Sequence, residues 1–312
     1  MVRNDKMTAV LLATYNGGKY IAELLDSLLA QDDHDFRCFV HDDGSKDETT
    51  EILKRYENEH PNFLTIIDSV PTGSPKANFM FLLKEVESEY YMFCDQDDVW
   101  HDNKVSISRK ILEKSVSAYP EKPCLVFSDL HVTDSELNVT SDSFYKLLDR
   151  DPRNTDYIQL LKKNVFVGCT MMFNKALRDE AVKLRDINNI PMHDFWIGII
   201  ASLKGEVCFI KKPLIEYRQH GANNMGASES IKTFGDKVRN IEFIYKMKKN
   251  KTIEQQRIAA ELMLLLDRDA RNYSFFKQLA EISSKSKIER LRFYKESGLL
   301  LDGNILLNIL SI

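Results

Sequence analysis

The chain has 312 residues, of which 43% are apolar and 29% charged, with 43 basic and 47 acidic groups and a formal net charge of −4. This length is enough for one large α/β domain with a smaller appendage, and the composition is that of a globular rather than a disordered protein. The slightly acidic balance argues against a nucleic-acid-binding protein, which usually presents a basic face.

The cysteines and the lengths of the apolar runs indicate where in the cell the protein is expected. No apolar stretch approaches the roughly 20 residues needed to cross a bilayer, and the first residues do not fit a signal peptide. The five cysteines are widely spaced, form no CxxC pair and lie in or beside apolar runs, which indicates reduced, buried thiols. We therefore expect a cytoplasmic protein, with the inner face of the cell membrane as a further possible location.

The first half of the chain alternates strand-like apolar runs with amphipathic helical runs. The strand-like runs are continuously apolar, a pattern typical of parallel strands that are buried on both faces. This β-α-β-α order predicts right-handed crossovers and a nucleotide site at the carboxyl ends of the strands. The predicted strands span residues 7–13, 36–41, 63–68 and 90–94, and the predicted helices span 19–31, 46–59 and 76–86.

The second half is more mixed and ends in a helical region. Strand signals stop near residue 228, and helical spacing dominates from there onward. We therefore divide the chain into an α/β domain of residues 1–227 and a helical C-terminal region of residues 228–312. The predicted strands are 124–130, 165–173, 207–210 and 214–217, and the predicted helices are 194–203, 231–249, 253–284 and 288–296.

Acidic residues follow two of the predicted strands directly. Asp42 and Asp43 close the second strand, and Asp95, Asp97 and Asp98 close the fourth. Carboxylates at neighbouring strand ends repel one another unless a cation or a hydrogen-bonding ligand lies between them. Oxygen ligands favour hard divalent ions, so the pattern predicts a site for Mn²⁺ or Mg²⁺. The alternative is a helix cap after the second strand and a solvated turn after the fourth.

Six short segments carry a resemblance to a known family. In their order and spacing they resemble the inverting family 2 glycosyltransferases of the GT-A fold, and the similarity covers about residues 7–227. The later segments most resemble the bacterial rhamnosyltransferase branch, which builds cell-wall and surface polysaccharides. The segments are Ala-Thr-Tyr-Asn at 13–16, His-Asp-Asp-Gly-Ser at 41–45, Asp-Gln-Asp-Asp-Val-Trp at 95–100, Val-Gly-Cys-Thr-Met-Met-Phe at 167–173, His-Asp-Phe-Trp at 193–196 and Tyr-Arg-Gln-His-Gly at 217–221.

The resemblance implies an α/β fold with a mostly parallel, Rossmann-like sheet flanked by helices, and it implies a nucleotide-sugar site. Tyr15 is expected to lie against a pyrimidine base, and Asp43 to accept a hydrogen bond from its N3–H. Asp97 is the expected metal ligand. A neutral imidazole at His220 can complete the metal site, although a histidine in a glycine-flanked loop is also ordinary polar surface. The other residues expected to contact the donor are Ala13, Thr14, Asp42, Lys76, Asn78, Asp95, Gln96 and Arg218.

Asp194 is the expected general base. The family usually carries an acidic pair at this point, whereas this sequence has His193 before Asp194, so a role for the first member is open. One base opposite the leaving group implies a single displacement with inversion. Trp196 is a candidate floor for the acceptor, with His193 beside it, and core packing is the alternative for Trp196. Asp194 could otherwise be a carboxylate stabilised at a helix N-terminus.

The expected function is transfer of a sugar, with L-rhamnose from dTDP-rhamnose as the first choice, to a glycan or lipid-linked glycan hydroxyl. UDP-glucose, UDP-galactose and UDP-N-acetylhexosamine are alternative donors. A sugar nucleotidyltransferase would carry a basic, glycine-rich loop after the first strand, and here Lys19 is the only basic residue of that loop. An NAD-binding oxidoreductase is disfavoured because no GxGxxG follows any strand. A non-catalytic sugar-nucleotide-binding subunit would tolerate loss of Asp97 and Asp194, and both are present.

The C-terminal region allows two interpretations. One is a helix on the membrane surface that brings the enzyme to a lipid-linked acceptor. The other, slightly favoured, is a solvated helix whose apolar face packs on the domain or on a second subunit. Both rest on basic residues that lie close to apolar ones, namely Arg239, Lys246, Lys248, Lys249 and Lys251 beside Ile241, Phe243, Ile244 and Tyr245.

Overall fold

A computed structural model of the chain describes residues 7–220 and 241–300, with the backbone only for 241–246. The predicted boundary between residues 227 and 228 lies outside the described residues, as does the first part of the helix predicted over 231–249. No helix within the two described segments combines the length and the apolar character needed to cross a bilayer.

The first half forms the parallel part of one sheet, as predicted. Strand β1 lies between β2 and β4, and β3 pairs with the far side of β2, all in parallel. Most apolar side chains of β1 and β4 are fully buried, which explains their continuously apolar sequence. The elements are β1 (Thr8–Thr14), α1 (Ile21–Leu29), β2 (Phe36–Asp42), α2 (Thr49–Glu59), β3 (Leu64–Ile66), α3 (Pro75–Glu85) and β4 (Tyr90–Asp95).

The second half continues the same sheet with mixed directions. The strand order is β3-β2-β1-β4-β8-β6-β9-β5, in which β8 is antiparallel to β4 and β6, β9 is parallel to β6, and β5 is antiparallel to β9. The short β7 pairs with β6. These elements are β5 (Val99–Trp100), α4 (Lys104–Ala118), β6 (Cys124–Thr133), β7 (Val139–Ser141), α5 (Phe144–Leu147), α6 (Tyr157–Lys162), β8 (Met171–Asn174), α7 (Lys175–Ala181), α8 (His193–Lys204) and β9 (Glu206–Arg218).

Two strand predictions in this half need correction. The strand predicted over 165–173 is shorter in the structure and spans Met171–Asn174. It begins late because Gly168–Thr170 forms a 3₁₀ turn before it. The two strands predicted at 207–210 and 214–217 are one strand, β9, whose pairing with β6 shifts register on either side of Asp129. Pro213 lies at that irregularity, where a residue without an N–H is tolerated.

The helices flank the sheet in two groups. Helices α1 and α2 contact each other, whereas α8 contacts α3, α6 and α7. Helix α3 begins at a strong start signal, because Ser74 caps it through the backbone N–H of Ala77 and Pro75 occupies its first position. The apolar faces of these helices and the sheet form one hydrophobic core.

The C-terminal region is helical, as predicted, but it is divided differently. Its helices are α9 (Ile241–Leu262), α10 (Tyr273–Ala280) and α11 (Lys287–Glu296). The single helix predicted over 253–284 is interrupted between α9 and α10. Asp267, Asp269 and Asn272 lie in that interval, and such short polar side chains compete with the backbone for hydrogen bonds.

Candidate active site

The strand register brings three polar residues to one edge of the sheet. Thr14 at the end of β1 is aligned with Asp42 of β2, and Ala13 is aligned with Asp95 of β4. Because the three strands are parallel, their carboxyl ends open at the same edge. The loops that follow them form the rim of the candidate site.

The loop after β1 is held by the side chain of Gln96. Its Oε1 accepts a hydrogen bond from the Tyr15 amide at 2.8 Å, and its Nε2 donates to the Tyr15 carbonyl at 3.0 Å. A Cβ atom on Gly17 would overlap the Gln96 amide, so this close approach requires glycine. The Tyr15 side chain is left 56% exposed at the rim, where an aromatic face is available to a base.

The two aspartates after β2 have different surroundings. Asp42 accepts hydrogen bonds within its own neighbourhood, from the Thr14 hydroxyl, the Gly44 amide, and the amide and hydroxyl of Ser45. This carboxylate therefore anchors its own loop, and its contact with the donor stays a prediction. Asp43 accepts instead from the segment before α3.

The partners of Asp43 are the amide and hydroxyl of Thr72 and the amide of Gly73. Gly73 has a φ of 81°, a left-handed conformation that favours glycine. Asp43 thus joins the β2 loop to the α3 approach, and its contact with a base stays a prediction.

The residues after β4 form a compact acidic cluster. Burial, followed by the charges of Asp97 and Asp194, raises the pKa of Asp95 to about 7. Burial and the charges of Asp97 and Asp95 raise the pKa of Asp98 well above its usual value. The charge of Asp194, which is distant in sequence, acts on Asp95, so the Asp194 carboxyl group lies near the strand-end carboxylates. The cluster is electrostatically unfavourable without a cation.

His220 joins this cluster from the end of the first described segment. Its Nε2 lies 2.8 Å from Oδ2 of Asp97, and its ring stacks on Tyr20 with centroids 4.8 Å apart. Both side chains are mostly buried. An imidazole nitrogen and a carboxylate oxygen are therefore in direct contact, and their binding of a metal ion stays a prediction.

Asp194 lies in the first turn of α8. Its Oδ1 accepts hydrogen bonds from the Phe195 amide at 2.5 Å and from Nδ2 of Asn164 at 3.3 Å. Burial raises the pKa of Asp194 to about 7, although hydrogen bonds from Phe195, Asn164 and Gly168 act in the opposite direction. A carboxyl group with a pKa near neutrality is suited to accept a proton.

The chain is similar to known proteins in both sequence and fold. The sequence pattern of glycosyl transferase family 2 matches residues 9–179. The chain belongs to this family. The dTDP-rhamnosyl transferase RfbG of Shigella flexneri is 31% identical over 233 residues, which cover 71% of this transferase and 75% of RfbG. The resemblance predicted from the six sequence segments is confirmed.

Solved structures share the GT-A fold with this transferase. TarS 1–349 of Staphylococcus aureus in complex with UDP-GlcNAc aligns with a TM-score of 0.53 at 19% identity, covering 93% of this chain and 80% of that one. The mannosyltransferase PcManGT of Pyrobaculum calidifontis, in complex with GDP-Man and Mn²⁺, aligns with a TM-score of 0.53 at 14% identity, covering 95% and 74%. The predicted fold is confirmed.

Two further residues predicted to contact the donor are buried in the transferase. Asn78 is 2% exposed, and its amide group bonds to Nδ1 and to the carbonyl of His41. Arg218 is 3% exposed and donates to the Asp97 carbonyl, the Ser135 carbonyl and the Glu23 carboxylate. Both side chains hold protein segments together, and their contacts with the donor stay predictions.

The two residues predicted on the acceptor side are buried. Trp196 is fully buried and its indole donates to the Ala181 carbonyl, which favours the alternative of core packing. His193 is buried and stacks on Phe79 with centroids 4.2 Å apart, and burial lowers its pKa to about 3. A role of either side chain toward the acceptor stays a prediction.

Lys76 is partly buried and contacts the loop before α8. Its Nζ donates to the Ile190 carbonyl at 2.7 Å, in the loop that precedes α8. Burial lowers its pKa. The contact links α3 to the segment that carries Asp194, and the role of Lys76 toward the donor stays a prediction, as do those of Ala13 and Thr14.

Sequence reasoning missed Lys104, which lies behind the acidic cluster. Its side chain is fully buried, with Nζ 3.0 Å from the centroid of the Trp100 ring. Burial lowers its pKa to about 7 against the charges of groups that include Asp98 and Asp95. A lysine at the start of an amphipathic helix is usually solvated, so the sequence held no signal of this burial.

Proposed function

We propose that this family 2 glycosyltransferase transfers L-rhamnose from dTDP-rhamnose to a hydroxyl of a glycan or lipid-linked glycan, with inversion at the anomeric carbon. The observation that carries the reaction is the 2.8 Å contact between Asp97 and His220 after β4, together with the charges of Asp97 and Asp194 that both raise the pKa of Asp95. A cation held by the strand-end carboxylates would suit the leaving diphosphate. The separate carboxyl group of Asp194, whose pKa is raised, is suited to take the proton of the acceptor hydroxyl.

Mn²⁺ or Mg²⁺ fits the donor side of this site. The donor set is an Asp97 oxygen and the His220 Nε2 that face each other, with Asp95 beside them. Asp98 Oδ2 is buried without a hydrogen-bond partner among the described residues, and burial together with the charges of Asp97 and Asp95 raises the pKa of Asp98. Asp97 and His220 would hold the ion, and the ion would neutralise charge on the leaving nucleoside diphosphate.

The chain's own groups supply the remaining chemistry. The exposed Tyr15 ring and Asp43 bind and orient the base of the donor. Asp194 accepts the proton of the acceptor hydroxyl as that oxygen forms its bond to the anomeric carbon and the bond to the diphosphate breaks. Asn164 and the Phe195 amide hold the carboxylate of Asp194 by its Oδ1, which fixes the direction in which it accepts the proton.

The choice of rhamnose is supported by RfbG, named as a dTDP-rhamnosyl transferase, at 31% identity across most of both chains. The choice of another donor is supported by the TarS structure with UDP-GlcNAc, whose similarity is that of the fold. UDP-N-acetylglucosamine is therefore the second candidate, and UDP-glucose and UDP-galactose serve as further comparisons.

A donor screen tests the proposal. The enzyme is incubated with dTDP-L-rhamnose, UDP-N-acetylglucosamine, UDP-glucose and UDP-galactose, each with Mn²⁺, Mg²⁺ or a chelator, and release of the nucleoside diphosphate is measured. We expect release from dTDP-rhamnose in the presence of metal and its loss in Asp97→Ala. Release from a UDP-sugar alone would overturn the rhamnose assignment, and unchanged release under chelation would overturn the metal.

A further inference from the structure

A second cluster of metal-binding side chains lies outside the proposed active site. It consists of His101, which follows β5, His131 of β6 and Glu216 of β9. Their ligand atoms all lie within 4.8 Å of one another. None of the three belongs to the residues to which the reaction assigns a role.

The sheet fixes this cluster in place. Glu216 is aligned with His131 across the parallel pair β6–β9 and with Val99 across the antiparallel pair β5–β9. Aligned residues of neighbouring strands direct their side chains to the same face. His101 enters from the end of β5, two residues after Val99, so three separate chain segments supply one ligand each.

The two imidazoles share a single carboxylate oxygen. His101 Nε2 lies 2.7 Å and His131 Nδ1 2.9 Å from Oε1 of Glu216, and the ring centroids are 5.5 Å apart. Oε2 of Glu216 is buried and has no hydrogen-bond partner within the described part of the chain. A buried carboxylate oxygen without a donor is unfavourable, and a cation bound by Glu216 would remove that cost.

The geometry points to a binding site for a divalent transition-metal ion, with Zn²⁺ as the preferred occupant, formed by His101, His131 and Glu216. Two histidines and one glutamate form a ligand set that Zn²⁺ uses with a fourth position open to water. Ligand atoms about 2.1 Å from a tetrahedral ion stand about 3.4 Å apart, so binding requires the hydrogen-bonded atoms to separate by about half an ångström. The side chains are 21–26% exposed, which leaves an entry path and room for this movement.

This site offers two imidazole ligands and one carboxylate, whereas the site at Asp97 offers the single imidazole of His220 among several carboxylates. Nitrogen ligands favour Zn²⁺ over Mg²⁺, whereas a mainly carboxylate site suits Mg²⁺ or Mn²⁺. A bound ion would tie β5 to β6 and β9. Strand β5 follows Asp97 closely in the chain, and β9 ends shortly before His220. Ion binding should therefore stabilise the strands beside the active site.

The test measures metal binding rather than activity. The full chain, saturated with Mg²⁺, is titrated with Zn²⁺ by calorimetry, and with Co²⁺ while the visible absorption of a tetrahedral ion is followed. We expect one equivalent of Zn²⁺ and an increase in Tm of roughly 5 °C when Zn²⁺ is one hundred times its Kd. Glu216→Gln and His131→Gln should each weaken binding at least about tenfold, as expected on loss of one ligand.

Controls separate this site from the others. The exposed His34→Gln tests for non-specific histidine binding and should leave the titration unchanged, as should Asp97→Asn. His101→Gln serves as an independent ligand variant if either of the other two is unfolded in the absence of metal. Zn²⁺ binding that survives in all folded ligand variants, that disappears with Asp97→Asn, or that is absent from the wild type would each overturn the proposal.

Discussion

The Asp194 carboxyl group is the residue on which the proposed chemistry depends. Its pKa of about 7 means that a large part of the population is protonated in mildly acidic solution and cannot accept a proton. Asp95, with a pKa also near 7, loses the charge that favours metal binding over the same range. Both effects act in one direction, so activity should increase as the pH rises through about 7.

Asp194→Asn should lower kcat by about a hundredfold or more, because the amide cannot accept the proton of the hydroxyl. Oδ1 of asparagine can still accept from Asn164 and Phe195, so the local structure and donor binding should be retained. Steady-state kinetics and calorimetric titration of the donor nucleotide measure the two properties separately. Wild-type rates would exclude Asp194 as the base, and loss of nucleotide binding would indicate a structural role instead.

Although Asp194→Asn should lower activity, it should raise the stability of the fold at neutral and higher pH. The pKa of Asp194 is raised from 3.8 to about 7 on folding, so the folded state binds the proton more tightly and loses that advantage as the pH rises. Above pH 7 the folded wild type bears the full free-energy cost of a charged, buried Asp194, whereas the uncharged side chain of Asp194→Asn does not. At pH 8 the variant should be more stable by at least about 1 kcal/mol, or about 2 °C in Tm, with the difference vanishing near pH 4. A variant that is less stable at pH 8 would contradict the burial argument.

At the scale of elements, the contact between the β1 and β4 loops shapes the base-binding rim. Gly17→Ala places a methyl group where the Gln96 amide lies, so the two hydrogen bonds to Tyr15 should be lost. Two neutral hydrogen bonds contribute about 2 kcal/mol, so nucleotide affinity should decrease roughly tenfold to thirtyfold. Calorimetric titration with the nucleoside diphosphate measures this loss.

Gln96→Ala removes the same two bonds by a different route. The double variant should therefore bind the nucleotide about as weakly as either single variant, because the methyl group added at position 17 no longer meets an obstacle. Additive losses would show that Gly17 and Gln96 act separately, and the proposed two-point support of Tyr15 would be wrong.

The limits of sequence reasoning are clear at this scale. The strands β1 and β4 could be predicted because each is an apolar run buried on both faces, and the run of apolar residues itself indicates this burial. The short strand β5 could not, because two residues carry no periodicity and its existence depends on pairing with Glu216 and Ile215, far along the chain. The break between α9 and α10 likewise follows from short polar residues that a purely apolar count passes over.

The same limit applies to the site. Family resemblance predicts that Asp97, Asp194 and His220 lie in one site. In the structure the charges of Asp97 and Asp194 both raise the pKa of Asp95, and Nε2 of His220 lies 2.8 Å from Oδ2 of Asp97, while their shared role stays a prediction. Arg218 was expected at a phosphate, because the sequence reveals the charge of a side chain but not which protein acceptors surround it. In the fold, carbonyl groups of Asp97 and Ser135 occupy its donors.

At the scale of the whole molecule, the C-terminal helices are joined to the α/β domain by buried polar contacts. Glu261 of α9 is 5% exposed and accepts hydrogen bonds from the Arg185 amide and from Nδ2 of Asn189. Gln255 of α9, also buried, donates to the Leu161 carbonyl. The side chains of residues 241–246, on which the membrane-surface interpretation partly depends, lie outside the described residues, whereas Lys248 is buried. These contacts favour packing on the domain for this part of α9.

Glu261→Ala should destabilise the whole transferase rather than only its C-terminal region. The substitution leaves the Arg185 amide and the Asn189 side chain without their acceptor in a buried interface, which costs about 1–3 kcal/mol. Because α9 and the α/β domain share this interface, differential scanning calorimetry should show one transition, shifted down by about 2–6 °C. The exposed Glu281→Ala, in the same region, should leave the transition unchanged.

Two separate transitions, of which only the smaller moves in Glu261→Ala, would contradict this expectation. That outcome would mean that α9 to α11 unfold independently and that the contacts at Arg185 and Asn189 contribute little to the domain. A single shifted transition would instead connect the helices to the active site, since residues 185–189 lead directly to Pro191 and the first turn of α8 that carries Asp194. In that case Glu261→Ala should also reduce kcat/KM more than Glu281→Ala does, because a loosened loop no longer holds the general base in place.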